Sequence, residues 1–436
     1  MYNRILKLYL MVVLMGILIG LIGSCFQLSI STISAWLSHL YLSTKSFGLP
    51  VALISTVVSM VIIFVAWLMV IYIAPEASGS GVPEIEGALQ HDRPIFWKRL
   101  LPVKFIGGVL AISGSMVLGR EGPTIQIGGN LADMLGGWLK ITRHRHDTLI
   151  AAGAAAGLSV AFNAPLAGVL FVIEEMRRPF RFSFTNFSIV AIGCVTATIV
   201  EHLILGNHPS IVMDVFASPS EHALGWFFLF GIVVGFIGLL FNKALIFGLN
   251  LTGLLSKRRR LLYVMIIGGM VGFLATTYPS IVGGGYDIIE QSLIMRPPLF
   301  MLIIVFALRF IIGILCYSTG VPGGIFAPML ALGTLIGLAC SYVLKWSVDP
   351  SLHPGMFAVA GMGALFSACV RAPLTGIILV VEMTQNYMLI LPLMVTCLTS
   401  TTVVQCFANP PIYSQLLRRL LKVKSSLLTP EEEERG

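Results

Sequence analysis

The chain has 436 residues, of which 56% are hydrophobic and only 11% are charged, with a formal net charge of +8. A water-soluble globular protein carries about a quarter charged residues, so this composition excludes a soluble domain, a disordered chain, a disulfide scaffold and a nucleic-acid-binding domain. A β-barrel would show short alternating segments, whereas this chain has uncharged runs longer than the ~20 residues that span a bilayer core. The sequence therefore predicts an all-α polytopic membrane protein. The uncharged runs are 8–44, 46–75, 261–286, 310–344 and 383–417.

The positive charge indicates membrane topology. Basic residues are grouped in short clusters, while the connections 205–222 and 346–354 carry no Lys or Arg. Because basic loops stay on the cytoplasmic side, we expect the clusters and both termini to be cytoplasmic. The clusters lie at Arg4 and Lys7, at 93–104, at Arg143 and Arg145, at 177–181, at 257–260 and at 418–424.

The N-terminal segment has two interpretations. A basic start, an apolar stretch and the sequence from Ile22 to Cys25 imitate a lipoprotein signal. The apolar character continues to Leu42, however, which is longer than the apolar region of a signal peptide. We therefore expect an uncleaved, long or tilted first membrane helix.

An internal repeat points to a transporter-like architecture. Segment 153–176 aligns without gaps with 361–384, and nine of the 24 positions are identical, including an Ala-Pro-Leu run and Glu174 opposite Glu382. Apolar tracts in both halves are too short or too rich in glycine for plain spanning helices, which indicates helices that end part-way through the membrane. Paired broken helices in two halves mark the binding site of many transporters; packing of small residues alone is the alternative explanation.

Three elements rich in Gly and Pro each precede an apolar helical stretch: Gly79–Pro83, Gly119–Pro123 and 323–328. Pro suits the first turn of a helix, and Gly lets the preceding backbone turn so that free amides point outward. Helix N-termini attract anions. Three of them together predict an anion site, although any one alone would be better explained as a packing turn.

Acidic residues within membrane segments are costly and usually functional. Glu121 lies inside the second element, where its carboxylate can imitate a transported anion and leave when protonated. Glu174 and Glu175 end an apolar run before Arg177. Each could therefore have a functional role, or could instead form a salt bridge with the basic cluster. Structural roles are expected for Glu382, Glu84 and Glu86.

Other classes of function find little support in the sequence. The seven cysteines are scattered without a CxxC pair, so we expect neither a metal site nor disulfides. There is no HExxH and no GxSxG motif, which disfavours an intramembrane enzyme. No cofactor and no nucleic-acid partner is expected.

The three elements together resemble the filter segments of the CLC chloride channels and chloride/proton antiporters, and the resemblance is close to the bacterial exchangers. It extends over nearly the whole chain and includes both Ala-Pro-Leu motifs and the Pro-Val-Lys-Phe sequence from Pro102. The resemblance implies a single transmembrane domain over 1–436, with two inverted halves at roughly 1–205 and 223–424, and no soluble regulatory domain. It also implies a lipid-embedded homodimer with one pore per subunit.

The resemblance implies an electrogenic antiporter that exchanges chloride for protons across a bacterial inner (plasma) membrane, and it suggests an electrical shunt in acid. A passive chloride channel is the alternative. The inner glutamate discriminates between the two, because channels usually lack an acid there; in this chain it aligns with Glu175.

Site residues follow from the same resemblance. Ser80 and Tyr413 would coordinate the central anion together with the backbone amides of Ile325 and Phe326. Glu121 would be the external gate and proton acceptor, and Glu175 the internal proton-transfer residue. The filter segments would comprise Gly79, Ser80, Gly81, Val82, Pro83, Gly119, Arg120, Glu121, Gly122, Pro123, Gly324, Ile325, Phe326, Ala327 and Pro328.

Overall fold

The computed structural model describes residues 2–46, 50–176, 183–213, 216, 219–295, 297–347 and 353–425. Over these residues the regular secondary structure is helical, apart from two isolated bridges at Gly79–Pro322 and Gly119–Gly324. Eight of the described helical segments are long and apolar enough to cross a membrane. The predicted all-α, polytopic class is confirmed.

The helices differ widely in length. The first runs unbroken for 45 residues, through Cys25, as expected for a long first helix. The helices are α1 (Tyr2–Ser46), α2 (Val51–Tyr72), α3 (Val82–Leu89), α4 (Trp97–Ser113), α5 (Glu121–Trp138), α6 (Arg143–Phe162), α7 (Pro165–Glu174), α8 (Phe184–Leu205), α9 (Leu224–Gly253), α10 (Lys257–Thr277), α11 (Tyr286–Met295), α12 (Leu299–Ser318), α13 (Phe326–Ser347), α14 (Pro354–Val370), α15 (Pro373–Thr384), α16 (Ile390–Cys406) and α17 (Ile412–Ser425).

The two aligned segments break at the same place. Helix α6 ends before Asn163, which has a left-handed backbone (φ 54°), and α7 restarts at Pro165; α14 ends before Arg371 (φ 63°), and α15 restarts at Pro373. Pro at the first helical position explains why each new helix starts there. The packing also corresponds, because α5 lies along α6 as α13 lies along α14, and α1 contacts α8 as α9 contacts α16.

Small residues bring the innermost helices together. A side chain on Gly128 of α5 would overlap the backbone of Gly153 on α6, and Gly333 of α13 meets Gly361 of α14 in the same way. Close backbone approach through small residues is how helices associate in a membrane, where lipid offers no hydrophobic drive. One helix of each pair, α5 or α13, follows directly on a Gly/Pro element.

Candidate functional site

The three Gly/Pro elements are joined by backbone hydrogen bonds. The amide of Gly323 donates to the carbonyl of Gly79 at 3.0 Å, and the Gly79 amide donates to Val321 at 3.2 Å. Gly119 and Gly324 exchange two bonds, at 2.8 and 2.7 Å. The third element therefore lies between the first and the second, although they are distant in sequence.

Each element leads into a helix N-terminus. Helices α3, α5 and α13 begin at Val82, Glu121 and Phe326, each with a proline in the first turn. The first element reaches its helix through Gly79 and Gly81, whose φ angles of +63° and +87° favour glycine. Because the elements are bonded to one another, the positive ends of three helices share one buried region.

Two hydroxyl groups lie in this region without a partner. Ser80 is 1% exposed and Tyr413 is 0% exposed, and neither side-chain oxygen has a hydrogen-bond partner among the described residues. The ring of Tyr413, at the start of α17, stacks on Phe326 with centroids 5.7 Å apart. A buried hydroxyl left unpaired is destabilising, and an anion accepts bonds from two such donors. Ile325, which precedes Phe326, is buried as well.

Glu121 is fully buried at the start of α5. Its Oε1 accepts a hydrogen bond of 2.8 Å from the hydroxyl of Tyr286, and the backbone amides of Glu121 and Ala327 also face the carboxylate. A Cβ on Gly119 would overlap the carboxylate, so a side chain at this position would displace Glu121. The negative charge thus lies at the N-terminal ends of α5 and α13, where a free anion would be stabilised.

Glu175 is the C-cap of α7 and is half-buried. Its carboxylate lies in the neighbourhood of Tyr413, and so does that of Glu121. Tyr413 therefore lies within electrostatic reach of both glutamates. The salt bridge considered between these acids and the basic cluster that begins at Arg177 involves residues 177–182, which are outside the described residues.

The remaining predicted acids each have polar partners of their own. Glu174 accepts hydrogen bonds from the start of α15 and Glu382 from the start of α7. Glu84 pairs with Arg93 at 2.8 Å, and Glu86 accepts a bond from Gln90 at 3.1 Å. These contacts agree with the structural roles expected for Glu382, Glu84 and Glu86.

Sequence reasoning missed the role of Lys104, which was grouped with the cytoplasmic basic residues. The structure places it at 0% exposure, where Nζ donates to the carbonyls of Ala77 at 3.0 Å and Gly79 at 2.6 Å. It therefore holds the first Gly/Pro element in place and is no guide to topology. A lysine within an apolar helix is itself a signal of such a role.

Arg309 was missed as well. It is 1% exposed on α12, and its guanidinium donates to the carbonyls of Ser280, Val282 and Gly283 at 2.8 to 3.1 Å. It fixes the glycine-rich loop that leads to Tyr286. A single arginine in the apolar stretch 299–318 was the available signal, whereas nothing in the sequence singled out Tyr286.

Two cavities reach the site. A larger one of about 540 Å³ ends at Gly119, Arg120 and Tyr286, and a smaller one of about 70 Å³ ends at Ser80 beside Arg260. The second Gly/Pro element thus lines one cavity and the first element lines another.

Three helix N-termini, two unpaired buried hydroxyls and a buried glutamate thus lie in the interior of a helical, polytopic membrane protein. Residues 60–405 match the family model described as voltage gated chloride channel, and the chain belongs to this CLC family.

Related proteins align with almost the whole chain. The H(+)/Cl(-) exchange transporter ClcA of Vibrio parahaemolyticus is 44% identical over 423 residues, which is 95% of this chain and 90% of the relative. The protein of the same name from Vibrio cholerae is 44% identical over 417 residues, covering 94% and 88%. A solved slow cyanobacterial Cl-/H+ antiporter superposes with a TM-score of 0.91 at 36% identity, covering 95% of this chain and 98% of that one.

Proposed function

We propose that this chain is a secondary active antiporter that exchanges chloride for protons. The observation that carries the proposal is the pair of unpaired hydroxyls of Ser80 and Tyr413, which lies where helix ends meet beside the carboxylate of Glu121. Relatives at 44% identity are named as exchangers of these two ions, and the solved relative at 36% identity is an antiporter. All of these relatives are transporters, which favours transport over an enzymatic activity.

Hydroxyl groups and backbone amides together bind the central chloride. Ser80 and Tyr413 donate hydroxyl bonds to a central chloride, and the amides of Ile325 and Phe326 add the field of a helix end. An anion held by dipoles can also leave, whereas an unshielded buried cation would retain it. No cofactor enters this mechanism.

Glu121 couples the movement of chloride to the movement of protons. Its carboxylate occupies the end of its own helix as a chloride ion would, and protonation removes the charge that holds it there. Glu175 supplies and removes protons from the cytoplasmic side. Alternation of these states links chloride movement to proton movement in the opposite direction and makes the exchange electrogenic.

A passive chloride channel is the second candidate. It would need the helix ends and the hydroxyls, but no acid in the position of Glu175. Glu175 is present and lies within electrostatic reach of Tyr413, which favours the antiporter.

We propose that the protein is a homodimer with one pore per subunit. Helices α7 and α15 have only 10 and 12 residues, so neither spans a bilayer. Leu166 is 61% exposed and Leu374 is 48% exposed at their starts, next to the partly exposed carboxylates of Glu382 and Glu174. Carboxylates facing lipid are unfavourable, and a second copy against this face would remove them from lipid.

The same proposal extends to the arrangement in the cell. The proposed division at roughly 1–205 and 223–424 accounts for the corresponding helix breaks. The basic clusters favour cytoplasmic termini, and we propose the bacterial inner membrane as the location. An electrical shunt during proton extrusion in acid is a use consistent with electrogenic exchange.

Proteoliposomes with an outward chloride gradient and no proton gradient test the function. An antiporter moves protons inward against the gradient that it builds, and a pH electrode records external alkalinisation that an uncoupler collapses. Chloride efflux without any uphill proton movement would establish the channel and overturn the proposal.

A further inference from the structure

The carboxylate of Glu121 has a side-chain donor on a different helix. The hydroxyl of Tyr286, the first residue of α11, donates to Oε1 of Glu121 at 2.8 Å. Tyr286 also lines the larger cavity, so this bond lies at the boundary between the cavity and the buried site. A hydrogen bond to a charged acceptor is roughly twice as strong as one between neutral groups.

The position of Tyr286 is fixed from several directions. The loop before it is held by the guanidinium of Arg309 and by a bond from the Gly283 amide to the carbonyl of Ser115 at 3.1 Å. The guanidinium of Arg120 lies over the tyrosine ring, 4.8 Å from its centroid. A donor held this firmly does not follow the carboxylate when Glu121 moves away, so departure of Glu121 breaks the bond.

We infer that Tyr286 is a positioning residue that latches Glu121 in its buried position and thereby sets the turnover rate and the pH dependence of exchange. The inference rests on the proposed role of Glu121 as the gate. A phenol that donates to a carboxylate favours the ionised, buried form over the protonated form that leaves. Protonation and departure of Glu121 therefore require a lower pH and occur less often than they would without the bond.

Other charges face Glu121 and remain in place when the tyrosine hydroxyl is removed. Arg120 precedes it on the same element and acts on it directly, while Glu201 of α8 acts on Arg120. Because none of these groups changes, the difference between Tyr and Phe at 286 isolates one hydrogen bond. Arg120, Tyr286 and Tyr413 act on Glu121 directly, while Glu201 acts on Arg120, Asp287 and Glu290 line the adjoining cavity, and Arg309 acts on Asp287.

Tyr286→Phe keeps the ring beneath Arg120 and removes only the donor. We expect chloride turnover in proteoliposomes to rise on the order of tenfold, as the loss of a bond to a charged group allows. The pH of half-maximal turnover should move upward by about one unit, since a tenfold change in a protonation equilibrium equals one pH unit. Proton pumping should persist.

Tyr263→Phe is the matched control, because it removes a hydroxyl bond of the same length, 2.8 Å, to the carbonyl of Leu315. It should leave the pH profile unchanged. An unchanged or acid-shifted profile for Tyr286→Phe, or an equal shift for both variants, would overturn the latch.

The pair of variants at 121 and 286 separates failure of the latch from failure of the proposed function. In a Glu121→Ala background the acceptor is gone, so adding Tyr286→Phe should change neither chloride flux nor its pH dependence. A rise in flux in that background would overturn the latch. Retention of uphill proton pumping by Glu121→Ala alone would instead overturn the gate role on which the latch depends.

Discussion

Glu174 and Glu382 each cap the helix that carries the other, across the two halves of the chain. Glu174, at the end of α7, accepts hydrogen bonds from two backbone amides at the start of α15, at 3.0 and 2.7 Å. Glu382, in the last turn of α15, accepts bonds from two amides at the start of α7, at 3.1 and 2.8 Å. Each carboxylate thus satisfies the free donors that follow the helix break in the opposite half.

The two caps differ by one donor, and this difference predicts an order of stability. The hydroxyl of Thr375 also donates to Glu174 at 2.7 Å, whereas the equivalent position in the other half is Ala167. Glu382→Gln should lower the melting temperature of the detergent-solubilised protein by an amount that corresponds to about 0.5–2 kcal/mol. Glu174→Gln should lower it further.

Thr375→Val removes the extra donor and should bring the two glutamine variants to similar melting temperatures in that background. The exposed Glu221 supplies the control, since Glu221→Gln alters a carboxylate on the surface. Equal melting temperatures for the parent, Glu174→Gln and Glu382→Gln would show that these contacts contribute nothing to stability.

Tyr413 supplies one of the two unpaired hydroxyls. Tyr413→Ala should weaken chloride binding and loosen the coupling of protons to chloride, while the protein keeps its oligomeric state. Loss of one bond to a charged acceptor corresponds to roughly a tenfold to hundredfold weaker affinity, measured by calorimetry. Tyr387→Ala, at a side chain that is 63% exposed, is the control. Unchanged affinity and an unchanged transport ratio would remove Tyr413 from the site.

Glu175 and Glu174 are adjacent but face different surroundings. Because Glu175 is within electrostatic reach of Tyr413 and Glu174 is bonded to α15, Glu175→Gln should abolish proton movement and leave chloride flux measurable. Glu174→Gln should keep proton coupling. Uphill proton pumping by Glu175→Gln in reconstituted vesicles would contradict the relay role.

Much of the fold was predictable because membrane burial leaves direct marks on a sequence. Uncharged runs longer than a bilayer span predicted the helical class. The Ala-Pro-Leu motifs indicated the paired breaks, since Pro165 and Pro373 start helices that cannot continue the ones before them. The short helices α3 and α11 were harder to place, because their lengths of 8 and 10 residues do not identify them as membrane elements.

The residue types of the site could be predicted from the sequence. The contacts that hold those residues in place were harder to predict. Gly/Pro elements indicate helix ends, but their bonding order, with the third element between the first two, arises from pairing between residues more than 200 positions apart. Tyr286 reaches Glu121 from the start of α11, just after a glycine-rich loop with no motif of its own. Its contact depends on how Arg309 holds that loop, which is a tertiary effect that no local pattern records.

Substitution of Lys104 tests whether its contacts with the first Gly/Pro element contribute to stability and chloride binding. Lys104→Met keeps the length of the side chain and removes the donor, which leaves the carbonyl of Ala77 without its bond and the carbonyl of Gly79 with the bond from the Gly323 amide alone. Buried acceptors left unpaired cost about 1–3 kcal/mol each, so the variant should melt at a lower temperature and bind chloride more weakly. The exposed Lys98→Met is the control; parental melting and affinity in Lys104→Met would contradict the role.

The exchange mechanism depends above all on the charge of Glu121. Glu121→Gln removes that charge and keeps the size of the side chain and its capacity to accept the bond from Tyr286. Moving a charge within a low-dielectric site involves several kcal/mol, far more than the ~1 kcal/mol of a neutral hydrogen bond, so the variant separates protonation from packing.

The most direct test records chloride efflux and external pH together, in vesicles that contain either the parent protein or Glu121→Gln, across a range of pH. We predict uphill proton movement with the parent only, and a residual chloride flux in Glu121→Gln that is nearly independent of pH. Proton pumping against the gradient by Glu121→Gln would show that Glu121 is not the gate and would contradict the mechanism.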